Sequence, residues 1–393
     1  MLSFEEAMNT VLRYAKPLPA ARTRVEESVG RALLEDISSG MDMPPFNKSA
    51  VDGYAVRASD LAAGGELRCL GLIQAGDNFK GRAGAGECVK IMTGAPVPAW
   101  ADAVVMVEDT GERDGIVKFE TGVGKGSNIA RRGEDIEKGQ KLLRRGAVIN
   151  ISHIAVLAAV GRSHVKTGAL PEVSLINTGG EIVPPGTKLS GNRIYNSNGP
   201  MLAAMLRTDN ICAEPVIVRD DAKLMKAALA KALKADIVLI SGGVSMGDYD
   251  LVPAVLKSLG VRKVFHKVRV RPGKPMFFGV KGRTLVFGIP GNPVANFMAY
   301  LAYVRPAIRK MSGRPDFAPE FRTGTCAVKF EPGTPRRALV LSRVKARGEY
   351  SLAEVSNNGS ADILALAGAN GFTMVKEGGS IKRNGKAKFI SWL

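Results

Sequence analysis

Apolar positions recur at helical spacing over residues 3–15, where Phe4, Ala7, Met8, Val11 and Leu12 fall on one face. Ser3 and Glu6 form a capping-box pattern ahead of them, and Pro17 and Pro19 close the segment, which predicts a first helix. From Leu67 to Thr121 the pattern shortens to the runs LRCLGLI, CVKIMTG, AVVMVED and GIVKFET between turn residues, which predicts a small β domain. Residues 151–160, ISHIAVLAAV, are apolar on every side and read as a helix buried between domains and packed on the first helix. The β segment then becomes an insertion within one helical layer. From Glu172 onward strands (VSLIN, CAEPVIV, DIVLI, TLVFG) alternate with helices (Pro200 to Leu206, KLMKAALAKAL), which predicts a parallel sheet covered on both faces. After Pro315, RALVLSRVKA, YSLAEV and AKFISWL, separated by Pro and Gly turns, read as a small β barrel.

Composition narrows the class. A chain of 393 residues exceeds one ordinary core and calls for two to four domains, and 45% hydrophobic residues with mean hydropathy +0.02 fit a soluble globular protein. No run approaches the roughly 18 apolar residues of a membrane span, and the acidic, periodic start does not resemble a signal peptide, so a cytoplasmic location is expected. Four separated cysteines without a C-x-x-C, and three scattered histidines, offer neither a zinc site nor a disulfide framework. Any metal is therefore expected on oxygen ligands, in the manner of Mg²⁺. The net charge of +18 fits either an anionic partner or a merely basic surface, and Phe321 to Leu393 carries 12 Lys and Arg against 5 Asp and Glu.

Candidate chemistry gathers where strands end, the place where ligands collect in open α/β sheets. The stretch LISGGVSMGDYD sets the small residues Ser241, Gly242, Gly243 and Ser245 after a buried run, followed by Asp248 and Asp250. It fits a phosphate cradle with cation-binding acids, and equally a glycine-rich turn with a helix-capping Asp. A second glycine loop, TGGE, holds Gly179, Gly180 and Glu181, and Asp220 and Asp221 precede a helix. A third, VRVRPGKPMFFG, aims Arg271 and Lys274 around a rigid turn. In a fourth, Pro290, Gly291, Asn292 and Pro293 open a helix whose N-terminus is expected to present free N–H groups to an anion. Earlier in the chain, Asn47, Lys48, Ser49 and Asp52 lie between Phe46 and Tyr54, Thr93 sits in the turn MTGAPVP, and Asp135 ends the charged loop RRGED.

The phrases PPFNKSAVDGYAV, MTGAPVP, RRGEDI, TGGEI, IYNSNGPML, ISGGVSMGDYD, RPGKPMFFG and GIPGNPV, in this order, resemble the molybdopterin molybdenumtransferase (MoeA) family of molybdenum cofactor biosynthesis, related to the gephyrin E domain. The resemblance spans nearly the whole chain, with the terminal barrel matched by position and pattern only. It implies a multidomain α/β fold: a split helical and linker domain (1–25 with 140–170), an inserted mainly β domain (26–139), a parallel-sheet molybdopterin-binding domain like the adenylyltransferase fold (171–315), and a C-terminal β barrel (316–393). It also implies a homodimer in which the insertion of one subunit faces the sheet domain of the other.

The implied reaction places molybdenum from molybdate in the dithiolene of adenylylated molybdopterin, with Mg²⁺-dependent loss of AMP. By the same resemblance Asp52, Thr93, Asp135, Glu181, Asp250 and Lys274 serve the reacting end. Ser49, Gly179, Gly180, Asn196, Ser241, Gly242, Gly243, Ser245, Arg271 and the run Pro290 to Pro293 contact substrate. Asp250, with Asp220 or Asp221, is the implied metal site. Arg271 stands where other members carry Lys, which replaces a point cation with a planar fork, and Gly180 stands where some carry Asp. A molybdopterin adenylyltransferase and cofactor-accepting proteins are the implied partners. The alternatives are an adenylyltransferase, against which the inserted-domain motifs argue, and a non-enzymatic dimeric scaffold. No stacking-aromatic motif or DNA-reading helix points to nucleic acid.

Overall fold

The computed structural model describes residues 1–62, 65–244 and 251–392, and the chain divides into two compact units. One comprises Met1–Leu34, Gly146–Asn150 and His164–Leu393; the other comprises Glu35–Arg145 and Ile151–Ser163.

In the larger unit the first helix, Phe4–Tyr14, starts on the expected capping box: Glu6 N–H donates to Ser3 Oγ (3.2 Å) and Ser3 N–H to Glu6 Oε2 (2.7 Å). Its apolar face (Phe4, Ala7, Val11) joins the core formed with the buried helical run after Pro293, where Phe4 and Tyr303 lie ring to ring at 5.5 Å. The central sheet has six strands in the order Pro215–Val218, Val173–Thr178, Ile237–Ser241, Thr284–Ile289, Pro275–Lys281 and Arg262–Lys267. The first four run parallel; three of them are buried almost throughout, as their apolar runs demand, while the edge strand Pro215–Val218 buries only Val218. Pro275–Lys281 then pairs antiparallel with Thr284–Ile289, and Arg262–Lys267 pairs antiparallel with Pro275–Lys281. Pro275–Lys281 lies in the segment read from sequence as part of a loop: its Pro and Gly punctuation masks a strand whose Met276, Phe277 and Phe278 are core residues.

The C-terminal segment closes as expected. Arg337–Arg347, Glu349–Glu354, Arg322–Cys326, Lys386–Ser391 and Gly371–Val375 pair in sequence around a ring, and the last pairs back to the first, a closed five-stranded barrel. Cys326, Phe330, Leu352 and Phe389 fill it.

The smaller unit holds a six-stranded sheet in the order Ala103–Met106, Gly53–Val56, Glu87–Ile91, Gly65–Ile73, Ile116–Phe119 and Thr110–Arg113. Tyr54, Leu67, Val117 and Phe119 fill one face, and Ile73, Val89, Ile91 and Val104 the other. The helix Ile151–Ala159 belongs to this unit, and the expectation that it is buried is overturned. Only Leu157 within it is buried, and Ile151 is 81% exposed. An all-round apolar helix of nine residues needs cover on every side, and this chain covers one side.

Candidate active site at the strand ends

Four parallel strands deliver Thr178, Val218, Ser241 and Ile289 to one edge. After Ser241 the chain turns on two left-handed residues, Gly242 (φ +91°) and Gly243 (φ +61°). A Cβ on Gly242 would lie 2.7 Å from the Thr178 carbonyl, and one on Gly243 would lie 2.6 Å from Thr178 Oγ1. Only glycine brings the two loops this close. A cavity of about 730 Å³ opens above them, lined by Gly179, Glu181, Asn196, Asp220, Ser241, Gly242, Gly243 and Pro290 to Pro293. Gly180 borders it through its N–H, which donates to Asp220 Oδ2 (3.0 Å).

Neutral amides brace this cavity. Asn198 Nδ2 donates to Ser241 Oγ (3.1 Å) and to the Gly291 carbonyl (2.6 Å). Asn296 Nδ2 reaches the same hydroxyl (2.8 Å) and the Pro290 carbonyl (3.0 Å), and Asn196 Oδ1 accepts from Gly199 N–H (2.9 Å). Among the described residues, Asn177 Oδ1, Thr178 Oγ1, Asn198 Oδ1 and Asn296 Oδ1 are buried without a partner. Buried polar atoms are rarely left unmatched, so these ask for a polar ligand or water. Sequence reasoning missed Asn177, Asn198 and Asn296, although NT-GG, NSN and GNPVAN each place an amide at a strand or helix end.

The carboxylates differ in what they do. Glu181 and Asp220 flank the Gly179–Gly180 turn and line the cavity. Asp221 Oδ1 accepts from Leu224 N–H (2.8 Å) as N-cap of the helix Ala222–Ala232, and it is not among the lining residues. Ser245, Asp248 and Asp250 lie outside the described residues. Among the described residues no three His, Cys, Asp or Glu side chains cluster as a metal site.

At the turn Pro290 to Pro293, Pro293 has no N–H and Val294 N–H is taken up by the Ser360 carbonyl (3.0 Å), while Asn292 Nδ2 donates to Ser360 Oγ (2.8 Å). A polar turn after the barrel strand Glu349–Glu354 thus locks this corner.

Arg271 and Lys274 line a neighbouring cavity of about 560 Å³, with Arg336, Asn357 and Ser360 from the C-terminal segment; Pro275 borders both cavities. Arg271 Nη1 is held by the Pro332 carbonyl (3.2 Å), and Arg336 Nη1 by the Val270 carbonyl (3.0 Å). Glu354 shares this cavity, and burial raises its pKa.

The smaller unit sets its own group. Thr93 N–H and Thr93 Oγ1 both donate to Asp52 Oδ1 at 2.7 Å, and these bonds, the N–H foremost, hold the Asp52 pKa below the usual carboxylate value. Ser49 is buried, its hydroxyl donating to the Val51 carbonyl at 2.5 Å. Asp135 is exposed, with its N–H on the Met43 carbonyl (2.9 Å).

Three family descriptions match the chain in order: MoeA N-terminal region (domain I and II) at residues 2–161, "Probable molybdopterin binding domain" at 175–310, and MoeA C-terminal region (domain IV) at 323–392. A molybdopterin molybdenumtransferase of Staphylococcus aureus is 34% identical over 386 residues, covering 95% of this chain and 91% of that protein. The chain belongs to the molybdopterin molybdenumtransferase family. A Staphylococcus epidermidis member is 32% identical over 96% of this chain and 92% of its own length. Two crystal structures of molybdopterin biosynthesis MoeA proteins from Pyrococcus horikoshii share the family's multidomain fold. One has TM-score 0.80 at 30% identity, covering 100% of this chain and 99% of that one. The other has TM-score 0.74 at 27% identity and covers 100% of both chains.

Proposed function

We propose that this family member inserts molybdenum from molybdate into the dithiolene of adenylylated molybdopterin, releasing AMP. The observation that carries this reading is the pairing of two cavities across Pro275. One is amide-lined and large enough for a nucleotide; the other gathers Arg271, Lys274 and Arg336 as an oxyanion would require. Matches on both sides of the molybdopterin-binding region favour this activity over an adenylyltransferase.

The chain's own residues do mainly electrostatic and positioning work. Dianionic molybdate and the substrate phosphates repel each other, by about 4 kcal/mol per unit-charge pair at 4 Å in a partly solvated site. The three cations offset that repulsion, and Ser241, held by Asn198 and Asn296, fixes the floor on which the nucleotide rests. Glu181 and Asp220 are the acids placed to assist. Mg²⁺ bound largely by phosphate and water needs only one or two protein carboxylates. Asp220 and Glu181 fit that need, with Asp250 as a further ligand in this proposal, and the ion would neutralise charge on the phosphoanhydride. Roles for Asp52, Thr93 and Asp135 in the transfer belong to the same proposal.

A homodimer in the cytoplasm completes it, supported by the uncovered apolar helix Ile151–Ala159, for which a second copy is the matching cover. Among the described residues no helix is long and apolar enough to cross a membrane. The test is to follow AMP release from adenylylated molybdopterin with and without molybdate, alongside sedimentation of the same preparation. Molybdate-dependent release by a dimer is expected. Release that ignores molybdate, or adenylylation from MgATP alone, overturns the activity, and a monomer overturns the assembly.

A further inference from the structure

The strand-end cavity is lined by polar and apolar groups alike, and Ile182, Ile194 and Tyr195 supply part of its apolar lining. These residues lie on the short parallel pair Ile182–Val183 and Ile194–Tyr195. Ile194 is 55% and Tyr195 44% exposed, a large apolar surface left open at the cavity. Among the described residues, each of the other tyrosines has a use for its ring or hydroxyl. Tyr14 and Tyr350 lie against a phenylalanine and an arginine, Tyr54 and Tyr300 donate to carboxylates, and Tyr303 lies against Phe4. Tyr195 has no ring, cation or hydroxyl partner among them.

Its backbone, by contrast, is firmly set. Ile194 N–H donates to the Glu181 carbonyl (2.9 Å) and Asn196 N–H to the Val183 carbonyl (2.8 Å). The residues on either side of Tyr195 are thus held by backbone hydrogen bonds, which fix where its side chain leaves the main chain at the cavity. A rigid, half-exposed aromatic ring beside a phosphate-sized polar floor is the arrangement that holds a planar base while the floor holds the sugar phosphate.

We propose that Tyr195 is a positioning residue on which a fused two-ring nitrogen heterocycle of the substrate stacks. This rests on the reading of the cavity given above and adds to it which end takes the ring. Both adenine and pterin have this chemistry, and separate probes distinguish them.

The test measures binding of AMP, ribose 5-phosphate and pterin-6-carboxylate by calorimetry to the full chain and to Tyr195→Ala and Tyr195→Phe. Tyr195→Ala should weaken AMP or the pterin by about 10-fold, leave ribose 5-phosphate unchanged, and leave the melting temperature near that of the unaltered chain. Tyr195→Phe should restore binding to within about twofold, because the ring face and not the hydroxyl does the work. Loss for AMP alone assigns Tyr195 to the base, and loss for the pterin alone assigns it to the pterin. If Tyr195→Ala changes neither while the unaltered chain binds AMP more tightly than ribose 5-phosphate, the stacking inference falls and the cavity reading stands. If the unaltered chain binds none of the three probes, both fall.

Discussion

The two cavities that meet at Pro275 are built by opposite means. The strand-end cavity is shaped by glycines and held by neutral amides: Ser241 receives two asparagine side chains, and the Gly242–Gly243 turn lies against Thr178. Its neighbour gathers three cationic side chains against Glu331 and Glu354. The first depends on close approach of backbone, so a single carbon is decisive there. The second depends on charge, so salt and charge removal matter more than volume. The Asp52–Thr93 pair of the smaller unit follows the charged pattern on a smaller scale, one ionised carboxylate holding one turn.

The sharpest test of this contrast is Gly243→Val. A left-handed residue with a side chain carries about 1–2 kcal/mol of strain, and the new Cβ would meet Thr178 Oγ1 at 2.6 Å and Val252 Cγ2 at 2.9 Å. The loop must move, and AMP affinity should fall by about 100-fold or more, with about the same loss at low and high salt, since each 1.4 kcal/mol is a factor of ten. A loss that vanishes at high salt would mean that this cavity also works by charge. Next in size are Arg271→Ala and Lys274→Ala. Each should weaken molybdate by about 10-fold, on the order of 1.4 kcal/mol, and spare AMP. The deficit should shrink as ionic strength rises from 0.01 M to 1 M and the screening length falls from about 30 to 3 Å. Equal losses for both ligands would dissolve the distinction between the cavities.

Much of the fold was legible because its signals are local. Capping at Ser3, the buried runs VSLIN, DIVLI and TLVFG, and the turn-separated strands of the insertion each announce themselves within ten residues. The glycine loops were legible for the same reason. What escaped depends on distance along the chain. Ser360 and Arg336 reach the site from a barrel more than forty residues beyond the nearest strand-end motif, and their surroundings in sequence read as ordinary turns. The strand Pro275–Lys281 was hidden by its own Pro and Gly, because burial by neighbours overrides local propensity. Asp220 and Asp221 are adjacent and alike in sequence, and only the start of the following helix decides which of them caps it and which faces the cavity.

The smallest expected effect concerns pH and separates the charge-held from the amide-held groups most cleanly. Asp52 is ionised more readily in the folded chain than in the unfolded one, because Thr93 N–H and hydroxyl both favour the carboxylate. A depressed pKa stabilises the fold fully above the unfolded value of about 3.9, and that contribution is lost as pH falls through the lower folded value. Asp52→Asn should therefore melt slightly below the unaltered chain at neutral pH, and the gap should close on acidification below about pH 4. Asn198→Ala removes two hydrogen bonds that carry no ionisable partner, so its deficit should stay constant over the same range. Melting curves of the three proteins between about pH 3 and 7 read both effects together. A gap for Asp52→Asn that widens in acid would mean that the bonds from Thr93 do not favour the carboxylate. A deficit for Asn198→Ala that follows pH would place a titrating group among the amides of the strand-end cavity.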